Sequence, residues 1–380
     1  MFIQLAQSQT GWSTLIQVYM LGETLMLSLV LSVGINQVRS WKFNIINFNF
    51  LPNYNALPKF HVGVIITLTC TIQVSITWKQ CAELPTGMSS GKTTVINGKV
   101  YCGGGTTDSP NNDYIVYCYD PSQDKWTTLP PPPVRWFGLD QFNGKLVAVG
   151  GRKKSTWNET NVVYTYDEGS HKWNQTIPPM PTARHSPSVL SLQSALVVAG
   201  GHTSTYSDAV EIFKPDTSQW YRANPLPTVC QNISLVAIGN ICYVLGGWTK
   251  NFHLNQALYA SVDDLLGNAV PANQTTHSGS SDTQSAWKTL PNTPTYRPAA
   301  AVLAGNLLAL GGYQNFLLGA IMKEVYMYSP STNSWIYISD LPAPRSATAA
   351  AVLSSTEVLV IGGFDDGIVN TVYKGTLMLL

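Results

Sequence analysis

One short ending recurs six times along the chain: a tryptophan, followed within a few residues by proline, most often as Leu-Pro. It reads DKWTTLP at 124–130, QWYRANPLP at 219–227 and SWIYISDLP at 334–342. The six tryptophans are Trp78, Trp126, Trp173, Trp220, Trp287 and Trp335, and their separations are 48, 47, 47, 67 and 48 residues. A nearly fixed period of this length indicates a repeat architecture, in which each unit stacks on its neighbours.

A second landmark has the same period. Gly-Gly pairs end six short apolar runs, and the pairs begin at Gly104, Gly150, Gly200, Gly246, Gly311 and Gly362. Runs such as KLVAVGG, ALVVAGG and VLVIGG are rich in Val, Leu and Ile, which is typical of strands buried on both faces. Turn pairs such as Asn97-Gly98 and Asn143-Gly144 precede several runs and suit a hairpin tip. Each repeat therefore contains two strands joined by a tight turn.

Two more strands complete each repeat. Segments such as IVYCYD at 115–120 and VVYTYD at 162–167 predict a third strand. A turn rich in Asp, Pro, Ser and Asn then leads to the tryptophan, which begins a fourth, outer strand. Six units of four antiparallel strands predict a β-propeller.

The order Gly-Gly, Tyr-Asp, Trp and Leu-Pro, in six copies, resembles the kelch repeat over roughly residues 72–380. The resemblance implies an all-β, six-bladed kelch β-propeller. The sixth repeat ends at NTVYKGTL, 370–377, without a tryptophan strand, whereas TIQVSITWK at 71–79 precedes the first repeat. We expect this N-terminal strand to close the last blade, since closure removes exposed sheet edges. The alternative is that Trp78 caps a degenerate seventh blade.

The expected organisation is an unassigned extension at 1–70 and a propeller at 71–380. The extension is partly apolar, and one interpretation is that it is poorly ordered. Its stretch Gly22–Ile35 is short for a membrane span and lacks the charged start of a signal peptide, so an anchor or signal role is the less favoured alternative. An insertion in blade four, about 261–285, is polar and Ser/Thr-rich. It predicts a mobile loop, and a neutral insertion is favoured over a binding role.

Composition narrows the function classes. The net charge is +1 and only 11% of residues are charged, so neither nucleic acid nor an acidic membrane surface is indicated as a partner. The six cysteines show no C-x-x-C spacing, and Cys102 and Cys242 lie in inner-strand runs. This pattern favours a reducing, cytoplasmic location. Four sequons, at Asn158, Asn174, Asn232 and Asn273, keep secretion open.

The sequence carries no recognised catalytic motif. None of the six histidines belongs to a metal-spaced pair, so we expect neither a metal nor another cofactor. Some proteins with kelch propellers are enzymes, which implies the alternative of a propeller enzyme that acts on a small sugar-like or oxidisable substrate. The favoured interpretation is a non-enzymatic, monomeric module that binds another protein or peptide.

The resemblance implies that the partner binds around the central channel. The residues just after each Gly-Gly pair are the expected contacts: Thr106, Arg152, His202, Trp248, Tyr313 and Phe364. Phe137, Ser186 and Asn232, which begin inner hairpins, are further candidates. Structural roles are expected at blade junctions for the six tryptophans and for Arg135, Arg184, Arg297 and Arg345, with ligand contact as the less favoured alternative for the four arginines. Because the candidate ring holds only Arg152, with Lys153 and Lys154 beside it, a mixed, aromatic-anchored ligand is favoured over a strongly acidic one.

Overall fold

The computed structural model describes residues 15–21, 24–30, 74–109, 114–192, 195–267, 269–272, 285–317 and 319–379. Contacts divide the chain into two units, Met1–Gln73 and Val74–Leu380. In the first unit, strands Leu15–Leu21 and Thr24–Val30 form an antiparallel hairpin. The second strand lies within the apolar stretch considered as an anchor or signal. Most of the extension lies outside the described residues, including its Asn/Phe-rich part, and so does the question of its order. No described helix is long and apolar enough to span a membrane.

The second unit is a six-bladed β-propeller, as predicted. Blade one contains Lys92–Ile96, Lys99–Gly103, Val116–Asp120 and Lys125–Leu129, and blade two contains Gly138–Phe142, Lys145–Val149, Val163–Asp167 and Lys172–Ile177. Blade three contains Ser188–Leu192, Ala195–Ala199, Val210–Lys214 and Gln219–Ala223, and blade four contains Ser234–Ile238, Ile241–Leu245, Ala257–Ser261 and Lys288–Thr289. Blade five contains Ala299–Leu303, Asn306–Tyr313, Ile321–Ser329 and Ser334–Asp340. In each blade the first-named strand is the inner one.

The sixth blade confirms that the chain closes with an N-terminal strand. It contains Ala349–Val352, Glu357–Ile361 and Val372–Leu379, and its fourth strand is Val74–Cys81. The last two strands pair antiparallel over eight residues, with Ile76 opposite Leu377 and Trp78 opposite Gly375. A β-carbon on Gly375 would lie only 2.7 Å from the indole of Trp78, so glycine is required where the ring crosses the partner strand. Trp78 therefore completes blade six rather than capping a seventh blade.

The propeller has no single core. Its buried apolar side chains form six clusters, and each cluster lies between two neighbouring blades. The cluster between blades five and six includes Ile76, Leu308 and Val360, for example. Because each blade buries its faces only against its neighbours, the stability of the ring depends on closure.

The repeated tryptophans link each blade to the one before it. In five of them the indole nitrogen Nε1 donates to a backbone carbonyl in the segment that leaves the preceding blade. The acceptors of Trp126, Trp173, Trp220, Trp287 and Trp335 are Ala82, Pro130, Pro178, Asn224 and Pro291, at 2.7 to 3.1 Å. The indole of Trp78 donates to Ser339 Oγ of blade five instead, at 3.2 Å. Each indole ring thus fills the gap between two blades, and its N–H group has a hydrogen-bond acceptor there.

The insertion in blade four differs from the predicted loop. Its first part forms a short helix, Val262–Gly267, and a strand, Val270–Pro271. That strand pairs with Tyr221 and Arg222, so it adds a fifth strand to blade three. The expectation of a mobile loop was wrong for this part because Val262 and Leu265 bury their side chains in the cluster between blades three and four. Residues 273–284 lie outside the described part of the chain.

Candidate binding face

One end of the central channel is built from a backbone pattern that repeats six times. The residue after each Gly-Gly pair forms an antiparallel β-bridge with a residue in the segment that precedes the inner strand of the same blade. The first row, called here the rim row, is Thr106, Arg152, His202, Trp248, Tyr313 and Phe364. The second, called the partner row, is Ser89, Arg135, His185, Gln231, Tyr296 and Ser346. The six predicted contact residues therefore occupy equivalent backbone positions in their blades, and their contact with a partner stays a prediction.

The glycines are necessary for this pattern. Gly311 has a φ of +57°, and a β-carbon built on it would lie 2.2 Å from the carbonyl oxygen of Arg345 in the next blade. No side chain fits there, since such a distance is far below van der Waals contact. The close approach allows the amide of Gly312 to donate to that carbonyl at 2.7 Å, which joins blade five to blade six.

A third row, called here the channel ring, follows the partner row by one residue. It is Ser90, Trp136, Ser186, Asn232, Arg297 and Ala347, and all six have φ between +48° and +55°. Backbone amides link neighbouring blades across it, as where Ser90 N–H donates to Ala347 O and Ser186 N–H donates to Trp136 O. Positive φ is uncommon outside glycine, so its sixfold recurrence marks the true register of the repeats.

This register changes the interpretation of several candidates. Ser186 and Asn232 belong to the channel ring, as candidate contacts should. Phe137 does not, because it lies one residue beyond the ring and its side chain is fully buried between blades one and two. Trp136 takes the ring position in blade two. The sequence-based alignment was displaced by one residue there because it started from Arg135 as the equivalent of Arg184.

The four arginines separate into two groups for the same reason. Arg184 and Arg345 lie two residues before the ring and are buried within blades, as expected for a structural role. Arg184 donates to Glu211 at 2.8 Å, and Arg345 donates to Asp365 at 3.0 Å. Arg135 and Arg297 instead belong to the partner row and the channel ring. Burial and an acidic partner in the same blade support a structural role for Arg184 and Arg345, whereas the structural role of Arg135 and Arg297 at blade junctions stays a prediction.

Aromatic rings and imidazoles form a continuous belt along the face from blade two to blade five. Ring centroids are 5.3 Å apart for Trp136 and His185, 4.9 Å for His185 and His202, and 4.8 Å for His202 and Tyr206. The belt continues through Trp248 and His253 to Tyr313, with 4.4 Å between the last two rings. At its other end the guanidinium of Arg135 lies between Trp136 and Trp157, 3.6 and 3.8 Å from the ring centroids. Such stacking fixes the rings and lowers the entropy lost when a ligand binds.

The channel mouth carries polar side chains around two cavities. A cavity of about 180 Å³ lies among Trp136, His185, Asn232, Trp248 and Arg297, with other residues around it, and a second of about 140 Å³ lies deeper in the channel. Neither cavity has an aspartate or glutamate among its described lining residues. The buried indole N–H of Trp136 has no acceptor within the described structure.

Two cations face these cavities: Arg297 lines both, and Lys92 lines the deeper one. Arg297 donates to Ser90 Oγ at 2.6 Å and has no acidic partner in the described ranges. Burial first, and then the charge of Arg297, lower the pKa of Lys92 in the channel to about 7. A ligand carboxylate would restore the charge of this lysine, because an opposite charge nearby favours the ionised form.

Glu159, His185 and His202 form a compact cluster on the face. Their nearest ligating atoms all lie within 4.8 Å of one another. Arg152 donates to Glu159 Oε1 from Nη2 at 2.7 Å and from Nε at 3.1 Å. Burial opposes the ionisation of Glu159, but these bonds and the charge of Arg152 lower its pKa. Burial, followed by the charge of Arg152, lowers the pKa of His185 to about 4, so its imidazole is neutral at pH 7.

Sequence reasoning missed this cluster because its members lie far apart in the chain. Glu159 follows the rim of blade two, whereas His185 and His202 pair across blade three. The signal that was available is the repeat register, which places His185 and His202 in the partner row and rim row of the same blade. Glu159 could not be placed in that way, since its loop has no fixed length among the repeats.

Comparison with known proteins agrees with this architecture. A family model described as KLHDC2/KLHL20/DRC7 Kelch-repeats domain matches residues 64–247, and a Kelch motif model matches residues 294–342. Kelch-like protein 36 of Mus musculus is 23% identical over 287 residues, which are 72% of this chain and 44% of the relative. Kelch-like protein 25 of Xenopus tropicalis is 25% identical over 196 residues, 49% of this chain and 30% of the relative.

A shorter similarity joins the chain to a protein with a different name. tRNA wybutosine-synthesizing protein 4 of Candida albicans is 37% identical over 76 residues, 20% of this chain and 11% of the relative. The chain spans less than half the length of each of these curated relatives. The two family models, the six blades and the sixfold Gly-Gly register agree, and the chain belongs to the kelch-repeat family.

Proposed function

We propose that this chain is a non-enzymatic protein-interaction module whose partner, another protein or a peptide, binds the face formed by the rim row and the channel ring. Kelch propellers are commonly protein-interaction modules, which supports the general class of function. The choice of face rests on the large apolar side chains that are exposed there.

Large apolar side chains remain exposed in the rim row and in the loops that follow it. They are Trp157, Phe252, Phe316, Leu317 and Phe364, in blades two, four, five and six. Trp157 is 54% exposed and Leu317 is 64% exposed. Exposed aromatic residues near cationic ones are typical of binding hot spots, since they bury a large area at small entropic cost. This concentration of apolar surface is the observation that carries the proposal.

The channel mouth adds a chemical preference. Arg297 and Lys92 face cavities whose described walls contain no acid, so a carboxylate would find two cations without a competing partner. Arg297 was assigned a junction role in the sequence analysis, and its position in the channel ring strengthens the case for an acidic group on the ligand. The partner that fits this face therefore combines apolar anchors with one carboxylate at the channel mouth.

The test uses two double variants on the same blade. Phe316→Ser with Leu317→Ser removes apolar surface from the face, whereas Ile336→Ser with Tyr337→Ser removes comparable exposed surface from the outer strand. Loss of a hot-spot side chain costs about 2 kcal/mol or more, which is roughly a 30-fold loss of affinity. We expect affinity capture with quantitative mass spectrometry to lose specific partners with the first variant and keep them with the second. Loss with the second variant alone would refute the choice of face.

The enzyme alternative has weaker geometric support. Convergence of His202 and Tyr313 with an acid in one buried pocket would favour it. His202 does lie beside Glu159, but Tyr313 contacts His253 on another part of the belt. Between the two lie the rings of Tyr206 and Trp248, so His202 and Tyr313 do not share a pocket. The geometry therefore favours binding over catalysis on a small substrate.

A further inference from the structure

We propose that Glu159, His185 and His202 bind a divalent transition-metal ion, with Zn²⁺ the best match to the ligand set. Two imidazoles and one carboxylate suit zinc, whereas calcium and magnesium prefer oxygen ligands alone. This assignment is independent of the proposed partner binding, since it concerns only side chains of this chain.

The spacing of the three groups is close to that of a metal centre. Their ligating atoms lie within 4.8 Å of one another. A tetrahedral ion with bonds of about 2.0–2.1 Å holds its ligand atoms about 3.3–3.4 Å apart. The cluster would contract by roughly 1.5 Å at most, which rotation of the partly exposed Glu159 and His202 side chains can supply without moving the backbone.

The backbone already fixes the two imidazoles side by side. His185 N–H donates to His202 O at 2.9 Å, and His202 N–H donates to His185 O at 2.8 Å. The imidazole centroids are 4.9 Å apart, and the angle between the ring planes is 27°. A bridge between Arg152 and Glu159 fixes the carboxylate on the neighbouring blade in the same way. The site is thus built on loop segments that isolated β-bridges join to one another.

The surrounding groups orient the ligands as in known metal centres. Ser186 Oγ lies 3.1 Å from His185 Nδ1, which leaves Nε2 available. Both bonds from Arg152 reach Oε1 of Glu159, so the second carboxylate oxygen keeps its lone pairs. Outer partners of this kind fix the tautomer of a ligating histidine and the orientation of a ligating carboxylate.

One nitrogen in the cluster lacks a partner. His202 Nδ1 is buried and makes no hydrogen bond within the described part of the chain. A buried polar atom without a partner is destabilising, so an ion that accepts its lone pair would remove that cost. Binding is opposed by the positive charge of nearby Arg135 and Arg152. Because Glu159 already neutralises Arg152, the opposing charge lowers the affinity rather than removing the site.

The experiment measures metal binding by the full chain, purified without a histidine tag and freed of metal with a chelator. Calorimetric titration with Zn²⁺ should detect a site that is weakened at least tenfold by His202→Gln and by Glu159→Gln. Co²⁺ in place of Zn²⁺ should give visible d–d absorption bands that both variants lose. His253→Gln is the matched control, because His253 is also a buried rim imidazole with an unpartnered Nδ1 but lies outside the cluster.

Two further readouts separate binding from misfolding. Zn²⁺ should raise the melting temperature of the native chain and of the His253 variant, and leave that of the His202 variant unchanged. The metal-free melting temperatures of the native chain and the Glu159 variant should be compared to show that the variant is folded. Zinc binding that persists undiminished in both cluster variants, or no zinc binding by the native chain, would overturn the assignment.

Discussion

The strand that closes the ring allows a direct test of the fold's energetics. Ile76 is 5% exposed and packs in the cluster between blades five and six, whereas its neighbour Thr77 points to solvent on the same strand. Both residues are paired with the last strand of the chain, so the backbone ladder is the same for the two. Substitution by alanine at each position therefore separates side-chain packing from strand pairing.

The expected magnitudes differ clearly. Ile76→Ala removes three buried carbons and leaves a cavity between blades, which costs about 2–5 kcal/mol. Thr77→Ala removes one weak, exposed hydrogen bond of 3.4 Å to Thr376, so its effect should stay within about 0.5 kcal/mol. Since single domains have total stabilities of about 5–15 kcal/mol, the first change is a large fraction of the whole.

Urea unfolding, followed by tryptophan fluorescence, measures the difference. With a slope of about 3 kcal/mol per molar urea, a loss of 3 kcal/mol lowers the midpoint by about 1 M. We expect that shift for Ile76→Ala and almost none for Thr77→Ala, with equal slopes for the two variants. Equal midpoints would show that the strand contributes no packing to the closed ring, which would refute the inference that the stability of the ring depends on closure.

Three further predictions concern buried polar groups. Because the pKa of Lys92 is lowered in the folded state, the unfolded chain binds more protons than the folded chain between about pH 7 and pH 10, so stability should rise with pH in that range. Urea midpoints at pH 7 and pH 9 should show this rise, and Lys92→Met should remove it. Arg184→Met leaves the buried carboxylate of Glu211 without its 2.8 Å partner and should lower the free energy of unfolding by about 3–5 kcal/mol. Adding Glu211→Leu should restore most of that loss in the double variant, and the same unfolding curves measure both effects. Burial raises the pKa of the Cys102 thiol to about 12, so peptide mapping after alkylation at pH 8 should find this cysteine unmodified until urea unfolds the chain.

Much of the fold could be predicted because its determinants are local and repeated. The Gly-Gly pair, the aromatic before the turn and the tryptophan recur at nearly constant spacing, so six copies correct one another. The fourth strand of blade six was also predictable, since an unmatched ending at Trp78 and an unmatched beginning near Tyr373 complement each other. Agreement among repeats carries information that a single copy lacks.

The insertion in blade four shows where this reasoning fails. No other repeat contains an equivalent of the segment after Ser261, so its structure had to be inferred from composition alone. A polar, Ser/Thr-rich sequence suggested a loop, but Val262 and Leu265 find an apolar surface between two blades. That surface exists only when the ring is assembled, and a local reading of the sequence cannot represent it.

The proposed binding face was harder to predict than the fold because its residue positions depend on register to within one residue. Arg135 and Arg184 occupy similar sequence contexts and are both buried, yet Arg135 stacks between two tryptophans whereas Arg184 pairs with Glu211. In blade three Ser186 adopts positive φ two residues after the arginine, whereas in blade two Trp136 adopts it after one. A difference of one residue reverses which face of the chain a side chain occupies.

On the proposed binding face, a sixfold backbone pattern carries unequal side chains, and the two together would determine how a partner is oriented. Every blade presents the same three positions at the channel mouth, so the scaffold alone has no preferred orientation. The side chains remove that symmetry: Arg152, Glu159 and two imidazoles lie together at blades two and three, whereas Trp248, His253 and Tyr313 lie at blades four and five with Arg297. A ligand with both apolar and charged groups would contact both sets of side chains in only one orientation about the channel axis. The orientation of a ligand would thus be set by the side chains, since the six-bladed backbone is nearly symmetric. An error of one residue in the register would therefore assign the wrong side chains to the face.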